Sequence, residues 1–115
     1  MERFSEEVQL VERSLGLIRC YLNERGVELV DSKEEVGRDA FGKLYIADEI
    51  ATPDCSRLCE KSAVREGEEP AWLDKQIARD VALKMWGSNP RTPLVFEPDV
   101  VMHLSKTYLG LFERI

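Results

Sequence analysis

Only two stretches of this sequence have the composition of β-strands, and both are short. Residues 27–35 join the apolar pair Leu29-Val30 to alternating charged side chains, and residues 44–50, LYIADEI, form the second stretch. Residues 37–42 between them begin and end with glycine, which predicts a turn and an antiparallel hairpin. Because two strands make a thin core for a free-standing domain, we expect the sheet to be completed by something outside this chain.

The first helix is predicted over residues 5–24, where apolar side chains recur at spacings of three and four. Ser5 is a candidate N-cap, and Gly26 follows the predicted end. We expect the resulting apolar stripe to pack into the core. The stripe consists of Val8, Val11, Leu15, Ile18 and Leu22.

Two further helices are predicted in the second half of the chain. One begins near Asp74 and is broken by the run from Gly87 to Pro90. The other begins near Pro98, after an irregular connection over residues 90–98, and its inward side chains are Val101, Leu104, Tyr108, Leu111 and Phe112. Residues 60–70 have the composition of an exposed loop. The chain is therefore expected to form one α+β domain over residues 1–115, a small antiparallel hairpin packed with helices.

The charge balance and the cysteine content exclude several classes of function. A net charge of -6 disfavours nucleic acid and anionic membrane surfaces as partners. Three cysteines, one histidine and an N-terminal segment without an apolar core favour reduced thiols in a cytoplasmic protein without a zinc site. An acidic protein can still bind phosphorylated ligands when Mg²⁺ bridges its carboxylates to the phosphate.

The first candidate site lies on the first predicted strand. Asp31, Lys33 and Glu35 occupy alternate positions and therefore share one face of that strand. If Asp48 on the partner strand shares this face, two carboxylates meet across the hairpin and can hold Mg²⁺ with nucleotide phosphates. Lys33 between them would neutralise a transferring phosphoryl group. The spacing fits a solvated ladder of ion pairs equally well.

Two further clusters follow along the chain. The segment TPDCSR, residues 52–57, carries Asp54, Ser56 and Arg57 on a predicted turn, where the planar guanidinium would bind a phosphate. An Asx-type turn with a surface arginine explains the same residues. Asp74 and Lys75 stand at a predicted helix start, where a capping aspartate followed by solvated polar residues is the alternative. No histidine or nucleophile signature accompanies these clusters, which favours electrostatic and metal-assisted chemistry over covalent catalysis.

Four segments in order resemble one enzyme family, SAICAR synthase, the phosphoribosylaminoimidazole-succinocarboxamide synthase of purine biosynthesis. GVELVDSKEEVG resembles its DxKxEFG signature, and IADEIATPDCSR resembles its ADE(I/V)xTPDSSR segment. WLDKQIARD resembles the family's (S/F)DKQxxRD helix start, and EPDVVMHLSKTYLGLFERI resembles its closing helix. The resemblance covers nearly the whole chain but only the C-terminal portion of the family's enzymes.

The resemblance implies an ATP- and Mg²⁺-dependent ligase that joins L-aspartate to the carboxylate of carboxyaminoimidazole ribonucleotide through an acyl phosphate. It implies that Glu35 and Asp48 bind Mg²⁺ and the ATP phosphates, and that Lys33 and Lys75 are catalytic. It further implies a set of substrate-binding residues, of which Ser56 and Arg57 contact the ribonucleotide phosphate. This set consists of Asp31, Asp54, Ser56, Arg57 and Asp74.

Three positions depart from the family pattern: Glu34 replaces an apolar residue, Val36 an aromatic one, and Cys59 a common tryptophan. Three hypotheses remain open. The chain is a synthase fragment or subunit that needs the missing half, a non-catalytic relic that acts as a binding or assembly module, or a weak binder of phosphorylated metabolites through Arg57. We also expect uncovered apolar surface, and therefore a homo-oligomer or a complex with an N-terminal half.

Overall fold

The computed structural model describes residues 3–87 and 94–115. Within them, three helices and four short strands form the α+β fold that the sequence predicts. The elements are α1 (Ser5–Asn23), β1 (Val27–Ser32), β2 (Glu35–Arg38), β3 (Leu44–Ala47), β4 (Ser56–Glu60), a 3-10 turn (Lys61–Ala63), α2 (Gln76–Trp86) and α3 (Pro98–Arg114). None of the helices in these ranges is long and apolar enough to cross a membrane.

The strand pairing differs from the predicted hairpin. The strands form two antiparallel two-stranded sheets, β1 with β4 and β2 with β3. The predicted first strand is interrupted after Ser32, where the backbone N–H of Lys33 donates to the carbonyl oxygen of Cys55 at 2.8 Å. The polar run from Asp31 to Glu35 lacks the β-branched and aromatic side chains that hold a strand straight, so the chain turns here into a second sheet.

Strand β4 was predicted as part of a loop, and this prediction was wrong. Only Leu58 and Cys59 of its five residues are apolar, so its sequence carries little strand signal. Both are nevertheless fully buried, because β4 pairs with β1 and its outer edge is covered by a bridge between Cys59 and Trp72. The predicted loop that follows is confirmed apart from Glu60, which ends β4, and the 3-10 turn.

The hairpin of β2 and β3 turns around Asp39. One oxygen of its side chain accepts the backbone N–H groups of Phe41 and Lys43, both at 2.9 Å, and these bonds hold the pKa of Asp39 below its usual value. Gly42 adopts a φ of 82°, which a residue with a Cβ rarely adopts. The predicted turn is thus confirmed, although Gly37 and Arg38 belong to β2.

The core lies between the end of α1, the β1–β4 sheet and the last turns of α3. Leu22, Val27, Leu29, Leu58 and Leu111 form its buried cluster, and Leu15 and Ile18 pack against it. The predicted stripe of α1 is confirmed at its C-terminal end, whereas Val8 is 52% exposed, although Arg38 of β2 pairs with Glu7 in the same part of the helix. Ser5 does not cap α1, since the N-cap position is Phe4 and makes no side-chain hydrogen bond.

The predicted inward face of α3 is only partly correct. Leu111 is buried and both Leu104 and Tyr108 are half-buried, but Val101 and Phe112 are 52% and 79% exposed. The C-terminal end of the helix is held to β4, where the Arg114 guanidinium pairs with Glu60. Of the connection predicted over residues 90–98, residues 88–93 lie outside the described ranges, and residues 94–97 are neither helix nor strand.

The molecule exposes more surface than a complete domain of its mass. Its accessible surface is 8633 Å², whereas about 6,400 Å² is expected for a folded monomer of this size. Its radius of gyration is 17.0 Å, against an expected value of about 13 Å. Large apolar side chains contribute to the excess, among them Leu17 on α1 and Phe41 at the hairpin tip. The expectation of uncovered apolar surface is therefore confirmed.

Replacing Leu58 tests the pairing of β4. Leu58→Ala should lower the free energy of unfolding by about 2–5 kcal/mol, because the truncation leaves a cavity at the centre of the core. Leu17→Ala is the matched control, since Leu17 is 72% exposed and should change stability by less than about 0.5 kcal/mol. Urea unfolding followed by circular dichroism measures both variants. Equal stabilities would show that β4 is not part of the core.

Candidate functional site

A polar cleft of about 590 Å³ opens between the end of the β1–β4 sheet, the turn before β4 and the first turns of α2. It brings together residues from all three clusters that the sequence predicts. These are Asp31, Lys33, Asp54, Ser56, Arg57, Asp74 and Lys75. The other lining residues are Ser32, Glu49, Pro53, Cys55 and Arg79. The predicted site residues Glu35 and Asp48 do not line the cleft.

A cross-strand ion pair forms one wall of the cleft. Asp31 on β1 and Arg57 on β4 are register partners, and Nε of Arg57 lies 3.1 and 3.0 Å from the two carboxylate oxygens. The arginine donates a further bond through Nη2, and its Cζ lies 5.5 Å from the centroid of the Trp72 ring. Hydrogen bonding to Arg57 holds the pKa of Asp31 below its usual value. Both side chains remain about half exposed, so the guanidinium is oriented and still accessible to an anion.

A buried carboxylate joins β4 to α2. The Asp74 side chain accepts the backbone N–H of Leu58 at 2.6 Å and that of Gln76 at 2.7 Å, and the residue is only 1% exposed. Burial raises the pKa of the Asp74 carboxyl, although the two backbone bonds act in the opposite direction. Asp74 lies one residue before the N-cap position, Lys75, and its carboxylate accepts the N–H of the first residue of α2. Both carboxylate oxygens are engaged, so Asp74 holds the neighbouring Arg57 and Lys75 in place.

The turn before β4 is fixed from several directions. Backbone N–H groups of Cys55 and Ser56 donate to the carbonyl of Thr52, and the buried Ser56 hydroxyl also donates to this oxygen. The backbone N–H of Lys75 donates to the carbonyl of Pro53 at 2.9 Å. The turn therefore carries its residues as a rigid unit at the floor of the cleft, and the hydroxyl of Ser56 is committed to that turn.

The predicted acid–base–acid face does not form a continuous ladder. Lys33 lies in the break between β1 and β2, and its ammonium lies 3.4 Å from the carboxylate of Glu35 in an exposed pair. Glu35 pairs in register with Ala47, so Asp48 follows the last paired residue of β3 and has a positive φ of 61°. Asp48 is therefore a turn residue, and the prediction that it lies on the partner strand was wrong.

The described residues contain no group of three or more His, Cys, Asp or Glu side chains arranged to hold a metal ion. A protein nevertheless usually contributes only one or two carboxylate ligands to a Mg²⁺ site, because this ion takes its remaining ligands from water and phosphate. Glu35 and Asp48 thus have the side-chain chemistry to bind Mg²⁺ together with a nucleotide. Their role as its ligands stays a prediction.

Sequence reasoning missed Arg79 as a lining residue of the cleft. It follows Lys75 by four positions, and its backbone N–H donates to the Lys75 carbonyl at 3.1 Å. Residues at this spacing lie on one helix face, so the run KQIAR contained the signal. No comparable sequence pattern identifies Ser32 and Glu49 as lining residues. They reach the cleft because of the break after β1 and the conformation of the loop after β3.

A family model described as SAICAR synthetase matches residues 9–91, a range that contains all three clusters of the cleft. The chain belongs to the SAICAR synthetase family. The phosphoribosylaminoimidazole-succinocarboxamide synthase of Thermobifida fusca (strain YX) is 43% identical over 96 residues, which cover 80% of this chain and 31% of the relative. This member of the family thus spans about a third of the length of the curated relatives that it matches.

Solved structures of the family share the fold. One SAICAR synthase superposes with a TM-score of 0.83 and 27% identity, covering 97% of this chain and 38% of the other. The SAICAR-synthase from Saccharomyces cerevisiae, in a structure described as complexed with SAICAR, gives a TM-score of 0.74 and 28% identity over 94% of this chain and 35% of the other. The SAICAR synthetase fold therefore extends through the described part of this chain.

Removing the buried carboxylate should destabilise the protein. Asp74→Ala leaves the backbone N–H groups of Leu58 and Gln76 without acceptors, and we expect it to lower the free energy of unfolding by about 1–3 kcal/mol. Asp80→Ala is the matched control, because Asp80 is exposed and, within the described ranges, its carboxylate accepts just one side-chain bond, from Gln76. Urea denaturation measures both variants. An Asp74→Ala variant as stable as the control would contradict the linking role of this carboxylate.

The ion pair of Asp31 and Arg57 should make stability depend on pH. The pKa of Asp31 in the folded state lies below its ordinary value of 3.8, so its contribution is complete above about pH 5 and is lost as the pH falls through the folded-state value. The difference in unfolding free energy between wild type and Asp31→Asn should therefore shrink between pH 5 and 2. Urea titrations at several pH values measure it, and a difference that does not change with pH would argue against the pair.

Proposed function

We propose that this chain supplies the substrate cleft of a SAICAR synthase, which joins L-aspartate to the carboxylate of carboxyaminoimidazole ribonucleotide with consumption of ATP. The convergence of three separate sequence clusters on one cleft carries the proposal. Membership of the family supports a ligase role in purine biosynthesis. We place the protein in the cytoplasm, where free thiols stay reduced, in accord with its three free cysteines.

The cleft residues have complementary roles in this reaction. Arg57, oriented by Asp31, would bind the ribonucleotide phosphate, because its planar fork donates parallel hydrogen bonds. Lys33 and Lys75 would act as catalytic cations beside the carboxylate and the transferring phosphoryl group, where developing charge needs stabilisation. No carboxylate of the described residues lies within 4.0 Å of the Lys75 ammonium, which leaves that charge for a ligand.

Magnesium and ATP complete the proposed site. Glu35 and Asp48 would hold Mg²⁺, which neutralises phosphate charge when it is bound with the nucleotide. The Lys33–Glu35 pair is exposed, so Glu35 can exchange its lysine partner for the ion at little cost in stability. This exchange would free Lys33 for the substrate carboxylate.

The rest of a SAICAR synthase fold is the proposed partner, whether it lies on the same polypeptide or on another. The molecule exposes about 2,200 Å² more than the surface expected for its mass, and a stable protein interface buries about 800 Å² on each partner. The excess is therefore large enough for such an interface. A homo-oligomer would cover the same surface without adding the parts of the fold that this chain does not span.

One observation favours the alternative of a non-catalytic binding or assembly module. An oxygen of Glu34, one of the departures from the family pattern, is buried and has no hydrogen-bond partner among the described residues. The residue lies between Lys33 and Glu35, so this defect adjoins two of the proposed functional side chains. In this alternative the cleft would keep its shape without turning over substrate.

Complementation tests the catalytic proposal. The chain is co-expressed with the part of the Thermobifida fusca synthase that it does not match, and the complex is isolated by sedimentation. If the two parts do not associate, the chain is instead fused to that part in place of the matching segment. We expect formation of the succinocarboxamide product that depends on both ATP and aspartate. Chromatography of product and ADP measures it. An assembled complex or fusion without this activity would overturn the catalytic proposal and favour the module.

Matched variants assign the activity to the cleft. Arg57→Ala and Lys75→Ala should each lower kcat/KM by about 100-fold or more, because each removes a cation proposed to contact the charge of the substrate directly. Lys106→Ala is the control, since Lys106 is exposed on α3 and does not line the cleft. Equal activity in all three variants would place the reaction outside this cleft.

A further inference from the structure

The hydroxyl of Tyr108 on α3 reaches the cleft. It donates a hydrogen bond of 2.9 Å to Oδ1 of Asp54, a residue 54 positions earlier in the chain. The sequence predicts Tyr108 as one of several apolar contacts of α3, but its half-buried ring ends in a polar contact with the cleft. Burial and the nearby Asp54 charge raise the pKa of Tyr108, so the hydroxyl stays a donor at every pH at which the protein would work.

The Asp54 carboxylate has no other hydrogen-bond partner in the described part of the chain. The backbone on both sides of it is fixed, because the carbonyl of Pro53 accepts from Lys75 and that of Cys55 accepts from Lys33. The carboxylate itself is exposed, and among the described residues only its Oδ1 has a hydrogen-bond partner. Among the described residues, Tyr108 is therefore the one hydrogen-bond partner that restricts rotation of this side chain, while Oδ2 is left to accept from a ligand.

The position of the Tyr108 hydroxyl is in turn set by the anchored end of α3. Leu111, three residues later and hence on the same helix face, is buried in the core. One turn further, Nη2 of Arg114 donates to Glu60 at the end of β4 and to the carbonyl of Arg25, both at 2.9 Å. Since a tyrosine side chain has only two torsions, its hydroxyl is placed by the helix with little remaining freedom.

We propose that Tyr108 is a positioning residue, which holds the Asp54 carboxylate in the orientation that binds substrate. This proposal rests on the proposed function only in naming the ligand as a substrate of the synthase. It assigns the last helix a role in the site besides packing, although α3 contributes no residue to the lining of the cleft. Tyr108 acts through Asp54 and does not itself touch the ligand.

A double-mutant cycle of unfolding tests the contact without any ligand. Tyr108→Phe, Asp54→Ala and the double variant are compared with wild type by urea unfolding. We expect a coupling of about two- to tenfold in the unfolding equilibrium constant, as for a single hydrogen bond. Tyr21→Phe is the matched control, because the Tyr21 hydroxyl donates to the carbonyl of Ile115 at 2.7 Å and should show no coupling with Asp54. Absence of coupling between Tyr108 and Asp54 would overturn the proposal.

A second cycle tests positioning, with SAICAR as the probe and the complemented protein or the fusion as the receptor. Calorimetry should show weaker binding by about three- to tenfold for Tyr108→Phe, the loss expected for one hydrogen bond, and no further loss when it is added to Asp54→Ala. A merely structural role would make the two effects additive, and additivity would therefore overturn the proposal. A wild-type protein that does not bind SAICAR would instead count against the proposed function, and the unfolding cycle would still decide whether Tyr108 holds Asp54.

Discussion

Strand β4 forms backbone contacts on both of its edges, and the cleft depends on this arrangement. One edge pairs with β1, which places Arg57 opposite Asp31. On the other edge the backbone N–H of Leu73 donates to the carbonyl of Leu58 at 2.8 Å, and the Asp74 carboxylate accepts the N–H of Leu58. A strand of five residues thereby joins the sheet, the turn before it and the start of α2. Displacing β4 would separate Arg57 from Asp31 and release the start of α2, which carries Lys75.

The charges that line the cleft differ in balance from the acidic chain as a whole, which bears on the acidic substrates proposed for it. The chain has a net charge of -6, but four cations line the cleft, namely Lys33, Arg57, Lys75 and Arg79. Four carboxylates also line it: Asp31 is paired with Arg57, Asp74 is buried against backbone N–H groups, and Glu49 and Asp54 remain exposed. Net charge describes the surface as a whole, whereas a concave site is governed by the few charges that line it. The negative net charge therefore argues against nucleic acid and membranes as partners, but it does not argue against a phosphorylated metabolite as a ligand.

The sequence predicts those parts of the fold that depend on local patterns. The stripe from Val11 to Leu22 identifies α1, and the polar turn around Asp39 identifies the hairpin. It does not predict β4, because two adjacent apolar residues, Leu58 and Cys59, show no periodicity, and because the partner strand lies about 30 residues earlier. Within the site, the spacing of residues left each cluster ambiguous, and the resemblance to a family supplied the roles of Arg57 and Lys75. The link between Tyr108 and Asp54 depends on tertiary structure and has no local signal.

The departures from the family pattern affect the support of the cleft more than its lining. Val36 is half-buried in β2 opposite Ile46, and Cys59 is buried in β4, so both positions act through packing. Glu34 has a more direct effect on the site than the other two departures. Oε1 of its carboxylate accepts from the Ser32 hydroxyl at 2.9 Å, while Oε2 is buried without a partner among the described residues.

A buried carboxylate oxygen without a partner is costly, and a conformational change that hydrates it lowers that cost. Glu34 lies at the junction of β1 and β2, where Lys33 and Glu35 begin to diverge from the β1–β4 sheet. The unpartnered oxygen therefore lowers the local stability of this junction. The junction also contains Lys33 and Glu35, whose ion pair would have to open in the proposed exchange for Mg²⁺. A junction that opens easily would favour this exchange, whereas a family member with an apolar residue at this position would hold it closed more firmly.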